Sequence, residues 1–259
     1  MGAESMRGLG AAVTLLTRVP IGTADWDPRD LHRSVKWIPL VGGVIGLAVA
    51  ATYAALVPVI PATISASLAV TLGVLITGAF HEDGLADTVD GFGGGSDRDD
   101  TLRIMKDPRH GTYGVLALVL SVVVRVTALA TMGSAAALAF LPAAHALSRG
   151  GAIGLMGVLP PASSEGLGAA HSDRGLRRQV VIGAVLSLMV GLITLGWWVG
   201  PFAIVAAAGA GLVSLLARRH ISGYTGDVLG AVQQVAEMSL LVLGAALASS
   251  GVIEMVWWR

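Results

Sequence analysis

Cysteine is absent from the 259 residues, so disulfides and thiolate metal sites are excluded. Charge is scarce as well: Asp, Glu, Lys and Arg make up 13% of the chain, against roughly a quarter of a typical soluble domain. The 17 basic and 17 acidic residues balance to a net charge of zero, so bulk attraction to nucleic acid is not expected. A cleavable export signal is not expected either, because the apolar stretch at 9–16 is short and runs into Arg18 without a small-residue cleavage pattern. What is abundant is apolar surface: 54% of residues are hydrophobic and the mean hydropathy is +0.74. Runs of about 20 apolar residues recur, the length that crosses a bilayer core. They predict an all-α, polytopic integral membrane helical bundle forming one domain over 1–259, with lipid as its surroundings.

Seven transmembrane helices are expected, at about 35–59, 62–80, 113–132, 135–155, 180–198, 202–217 and 235–256, the last ending in an aromatic anchor, Trp257-Trp258-Arg259. Ahead of them, residues 1–34 place Leu9, Val13 and Leu16 on one face between Arg7 and Arg18. That segment is either an amphipathic interfacial helix or a disordered leader. Gly42, Gly43 and Gly46 read as surfaces for close helix packing. Lys and Arg number five in the N-terminal region, four in the 81–112 loop, three in 157–178 and two in 218–234, and none in the three intervening turns. By the positive-inside rule the N-terminus and the three polar loops are cytoplasmic. Arg125, near mid-depth, must face the bundle interior and pair with a carboxylate or a bound anion. Arg149 either does the same or snorkels toward a span end.

The polar segment 81–114, HEDGLADTVDGFGGGSDRDDTLRIMKDPRHGTYG, holds eight of the 17 acidic residues. Asp83, Asp87 and Asp90 are spaced i, i+4, i+7, one face of a helix, where like charges repel unless a cation lies between them. Hard oxygen donors of this kind suit Mg²⁺, which shares its coordination with water and substrate phosphates. Glu82 sits one residue off that face and reaches either a second metal or a basic partner. Gly91 to Gly95, including Gly94, should end the helix and admit a ligand close to the backbone. Ser96 with Asp99 reads as a capping box opening a short helix over 97–106. Lys106, Arg109 and His110 then lead into Gly111-Thr112-Tyr113-Gly114, a helix start suited to anions. The bland alternative is a solvated acidic loop. A second cluster, RRHISGYTGDVLGAVQQ at 218–234, carries Asp227, which either joins the same site or caps a helix. Gln233, Gln234 and Glu237 follow, with Glu237 expected in the opening turn of the last span, where a buried Glu is usually functional.

Taken together, His81-Glu82-Asp83-Gly84-Leu85-Ala86-Asp87-Thr88-Val89-Asp90-Gly91, Met105-Lys106-Asp107, Gly111 to Gly114, and Gly223-Tyr224-Thr225-Gly226-Asp227 with Gly230-Ala231 resemble the cobalamin synthase (adenosylcobinamide-GDP ribazoletransferase) family. Leu16-Thr17-Arg18-Val19-Pro20 and Pro39-Leu40-Val41-Gly42 are similar to its N-terminal pattern, so the resemblance covers nearly the whole chain in order. The chain departs from the pattern at Pro108-Arg109-His110, and no role is carried over to His110. The resemblance implies a catalytic membrane domain in a bacterial or archaeal cytoplasmic (inner) membrane, with its active site facing the cytoplasm. It implies a Mg²⁺-dependent phosphotransferase that joins adenosylcobinamide-GDP to α-ribazole, or its 5′-phosphate, and releases GMP. The residues assign Asp83, Asp87, Asp90, Asp227 and, more weakly, Glu82 to metal. Lys106, Arg109, Gly111, Thr112, Tyr113, Gly94 and Arg149 are assigned to phosphate, and Asp90 is either a general base or a further metal ligand. A homo-oligomer is left open. The rival enzyme is a CDP-alcohol-type membrane phosphotransferase, whose usual pattern has an Arg close after the first Asp-Gly pair, where this chain has Asp87. The rival of another class is a cation transporter, which places carboxylates near the bilayer midplane rather than at span ends.

Overall fold

The computed structural model describes residues 3–19, 21, 26–162 and 174–250. Trp257-Trp258-Arg259, Pro20 and the loop residues Glu165, His171 and Asp173 lie outside the described residues. Among the described residues the architecture is helical: α1 Ala3–Leu16, α2 Pro28–Ser34, α3 Ile38–Leu56, α4 Ala62–Thr77, α5 Phe80–Gly94, α6 Arg98–Met105, α7 Thr112–Ala130, α8 Ser134–Met156, α9 Arg174–Leu195, α10 Val199–Ile221 and α11 Gly226–Ser249. The one strand-like feature described is an isolated bridge between Pro161 and Tyr224, which pins the end of the α8 loop to the α10–α11 turn.

Each of the seven expected apolar segments overlaps a helix, the last from 235 to Ser249 of α11, its residues 251–256 lying outside the described residues. By length and apolarity four stretches can cross a membrane: Arg29–Leu56, Thr112–Ala130, Gly175–Ile221 and Gly226–Ser249. A fifth arises if α4 and α5 count as one broken span, bent by 88°. The Gly175–Ile221 stretch is 47 residues long, roughly 70 Å if straight against a core of about 30 Å. It is broken at Gly196 (φ 59°), which separates α9 from α10. The sequence of α8 is less apolar because His145 and Arg149 lie within it, and its burial explains how that is tolerated: most of its length is covered by α3, α9, α10 and α11.

Close approach to α8 depends on the glycine face of α3. A methyl group at Gly42 would lie 2.7 Å from the His145 carbonyl oxygen, and one at Gly46 would lie 2.9 Å from the His145 Cβ. Gly42 and Gly46 are therefore packing glycines, as their spacing suggested. At the far end of the bundle Tyr53 donates to the Met132 carbonyl at 2.7 Å, satisfying backbone just past the end of α7. The N-terminal segment starts as a helix whose fully buried residues are Gly8, Ala11, Ala12 and Leu16, with the expected Leu9 and Val13 partly buried beside them. Ala12 and Leu16 pack on Val41 and Ile45 of α3. Arg7–Asp30 and Glu4–Arg33 ion pairs, at 2.8 and 2.9 Å, tie α1 to α2.

Candidate functional site

The site begins where α4 stops. Gly78 and Ala79 both adopt left-handed backbone, φ 64° and 60°, and this pair of residues makes the sharp corner into α5. Left-handed backbone costs glycine little and alanine more, so Ala79 is the strained member. From that corner α5 runs through Gly94 and ends at Gly95, inside the Gly91 to Gly95 run expected to end it, although Gly91 to Gly94 are themselves helical. The reason is packing: a Cβ at Gly91 would meet the Met105 side chain and the Thr101 carbonyl, so this glycine lets α6 lie against α5. Likewise α6 is capped one residue later than expected. The Asp97 carboxylate accepts from the Asp99 and Asp100 N–H groups, while Asp100 accepts from Ser96.

On α5, Asp83 and Asp87 share a face, and His110 from the α6–α7 loop comes down between them. Its Nε2 is 3.6 Å from Asp83 Oδ1 and its Nδ1 3.5 Å from Asp87 Oδ1. One donor atom from each residue lies within 4.8 Å of the others. Asp83 is largely exposed and Asp87 mostly covered, so the group opens to one side. Asp227 enters from the first turn of α11. Its backbone passes across Gly84, where a Cβ would stand 3.0 Å from the Asp227 Cα, and its charge acts on both Asp83 and Asp87. The cap of α11 is Thr225, which accepts from the Val228 N–H at 3.3 Å and donates to Asp227 at 3.2 Å. Asp227 is therefore not the cap. Asp83 and Asp87 face one opening with Asp227 close enough for its charge to act on Asp87, and no Lys or Arg is described as paired to them, a donor set that fits a hard divalent cation holding waters and phosphate oxygens.

Asp90 is placed differently. It is buried, and its two oxygens accept from the Gly111 N–H at 2.7 Å and the Gly114 N–H at 2.8 Å. The start of α7, expected to hold a substrate anion, already holds this carboxylate. Gly114 has to be glycine here because a side chain would strike Asp90 and the Ala86 carbonyl. Glu82 also leaves the opening, since one residue along a helix turns a side chain by about 100°. It points into the bundle, where Arg125 Nη1 meets Glu82 Oε1 at 2.7 Å.

That pair belongs to a buried network. Gln234 donates to Glu82 at 3.3 Å and accepts from Ser121 at 3.0 Å. Gln233 donates to Glu237, and Glu237 also faces His145 at 3.4 Å and Arg149 at 3.7 Å. Arg149 is thus paired inside the bundle and does not snorkel, and Glu237 lies near the middle of α11 rather than in its opening turn. The network surrounds a cavity of about 30 Å³ into which His81 also faces. Glu82 Oε2, Arg125 Nη2 and Arg149 Nε have no protein partner there.

The remaining expected phosphate residues lie around the loop. Arg109 is exposed and grips Asp107 with two bonds of 2.9 and 2.8 Å. That pairing holds the Asp107 carboxyl down at about 2. Lys106 caps α6. Thr112 opens α7, Tyr113 lies against Gly93, and Gly94 closes α5. Sequence reasoning left His110 without a role and did not single out His81 or the cavity. His110 stands two residues after Pro108 and just before a helix start, but nothing in its spacing shows which carboxylates it will meet.

Comparison with known proteins bears on this site. A family model described as cobalamin-5-phosphate synthase matches residues 8–245. The chain is 42% identical over 251 residues to a protein of Azorhizobium caulinodans, covering 90% of this chain and 93% of that one. A relative from Ralstonia nicotianae is 40% identical over 260 residues, covering 95% and 96%. One from Bradyrhizobium diazoefficiens is 38% identical over 255 residues, covering 95% and 97%. All three are named adenosylcobinamide-GDP ribazoletransferase. No solved structure matches the chain.

Proposed function

The chain belongs to the cobalamin-5-phosphate synthase family, and from that premise we propose that it joins adenosylcobinamide-GDP to α-ribazole or its 5′-phosphate, giving adenosylcobalamin or its 5′-phosphate and GMP. The observation that carries this reading is the open group of Asp83, Asp87 and His110 with Asp227 beside it. A pyrophosphate diester attacked by a hydroxyl needs its charge neutralised and its reacting atoms aligned. Asp83, Asp87 and Asp227 would hold Mg²⁺, which supplies charge neutralisation at the phosphoryl oxygens. Asp90, with both oxygens on α7 backbone, fixes α7 against α5 and so sets where His110 stands. The proton-accepting role therefore moves from Asp90 to His110, whose ring nitrogens stand between Asp83 and Asp87 at the opening. Arg109 is exposed at the rim and exchanges Asp107 for a substrate phosphate. Seven helices cross the membrane with the N-terminus, the three polar loops and this opening on the cytoplasmic side of the inner membrane, as the basic residues distribute.

The break between α4 and α5 is a feature a cation transporter would also show. Here the carboxylates of the opening lie beyond the break, and the charges deep in the bundle are matched to one another. The test is direct: purified protein in detergent, given adenosylcobinamide-GDP, α-ribazole 5′-phosphate and Mg²⁺, is expected to release GMP and form the joined corrinoid. Absence of GMP with intact, folded protein overturns the reading.

A further inference from the structure

A second opening adjoins the carboxylate group and has no part in the roles assigned so far. It is a cleft of about 680 Å³ between the end of α1 and the α4–α5 corner, walled by Thr14, Thr17, Arg18, Thr77, Phe80 and Asp83. That volume suits a nucleotide-sized ligand. Its cation is fixed in place. The Arg18 N–H donates to the Ile76 carbonyl at 2.7 Å, and the Arg18 side chain lies over Gly78, where a Cβ would stand 2.9 Å from the guanidinium carbon. Among the described residues the Arg18 side chain has no hydrogen bond or ion pair, although Glu4, Asp27 and Asp30 are on the neighbouring α1–α2 unit. Phe80 presents an exposed ring in the same cleft, at the first position of α5. Asp83 is shared between this cleft and the Asp83–Asp87–His110 group.

An unpaired guanidinium, an exposed aromatic ring and a carboxylate of the reacting centre match the three parts of a phosphorylated nucleoside: phosphate, base and sugar hydroxyl. Resting on the reaction proposed above, we propose that this cleft is the acceptor subsite and that Arg18 binds the 5′-phosphate of the incoming nucleotide, with Phe80 against its base and its ribose hydroxyl directed toward Asp83. Arg18 then decides between α-ribazole 5′-phosphate and dephosphorylated α-ribazole. The experiment compares both acceptors with the unaltered protein, Arg18→Gln and Arg18→Lys, at saturating donor. Arg18→Gln is expected to raise KM for α-ribazole 5′-phosphate by ~10–100-fold while leaving KM for α-ribazole and for the donor within about twofold. Arg18→Lys, which keeps the charge but loses the fork, should fall between. The unchanged donor KM shows that the variant is folded. Equal losses with both acceptors, or no loss with either, overturn the assignment of Arg18. GMP release from neither acceptor by the unaltered protein overturns the reaction itself, which is a different failure.

Discussion

At the scale of single residues, the opening separates charges that must act from charges that must hold. Asp83 faces outward and Asp87 lies mostly covered beneath it, with His110 between them. Asp→Asn at either keeps size and removes charge, so GMP release is expected to fall about 10²–10³-fold with membrane insertion intact. Near-normal rates for both variants at limiting Mg²⁺ would contradict the metal assignment. Arg109 makes a two-pronged pair with Asp107, and Arg109→Lys should raise the donor KM about tenfold while the ribazole KM stays put. A shift confined to the ribazole KM would mean the wrong substrate had been assigned. The pH dependence of this pair follows from its sign. Arg109 depresses Asp107 to about 2, so whatever the pair contributes is complete above the ordinary carboxylate range and is lost only as pH falls toward 2. Between pH 5 and 9 the donor KM should therefore show no titration from Asp107, as a KM–pH profile of Asp107→Asn beside the parent will test.

At the scale of elements, the docking of α7 on α5 through Asp90 is the junction that positions His110. Asp90→Asn turns one accepting oxygen into a donor facing an N–H, and a loss of about 2–4 kcal/mol of stability is expected, read as a lower unfolding temperature in detergent. A general base would instead lose turnover at unchanged unfolding temperature. Gly114→Ala should destabilise by about 1–3 kcal/mol, because its methyl meets the Ala86 carbonyl at 2.9 Å. These elements also show what was legible in the sequence. The i, i+4 spacing of Asp83 and Asp87 places them together because a helix fixes that geometry locally, and the apolar runs locate α3, α4 and α7 to α11 for the same reason. Glu82, one residue off that face, meets the basic partner that was one of its two expected fates, Arg125, 43 residues away. Asp90, in contrast, was assigned by the same local rule as Asp83, and its partners are Gly111 and Gly114, 21 and 24 residues away. Local periodicity carries no information about which distant backbone amide or guanidinium a carboxylate will find. The glycines after Asp90 do end α5, at Gly95, but their second role is not legible locally: their missing side chains admit α6 and Tyr113.

For the whole molecule, the lack of cysteine makes topology easy to measure, since any introduced thiol is the only one. Ser96→Cys should react with a membrane-impermeant reagent only when the cytoplasmic face is open, and Gly133→Cys only from the opposite face. Labelling of Ser96→Cys from outside intact cells would reverse the orientation. The deep network of Glu82, Arg125, Arg149 and Glu237 has a further consequence, for how the chain is made. Arg125 leaves the ribosome after its partner Glu82 and can be neutralised as soon as α7 emerges. Arg149 on α8 emerges long before Glu237 on α11, by roughly 4–18 s at a synthesis rate of about 5–20 residues per second. During that interval α8 carries an uncompensated guanidinium, and the insertion machinery must shelter it from lipid until α11 arrives. Chains truncated between α8 and α11 are therefore the ones quality-control proteases should recognise, however normal their loops and leading helices.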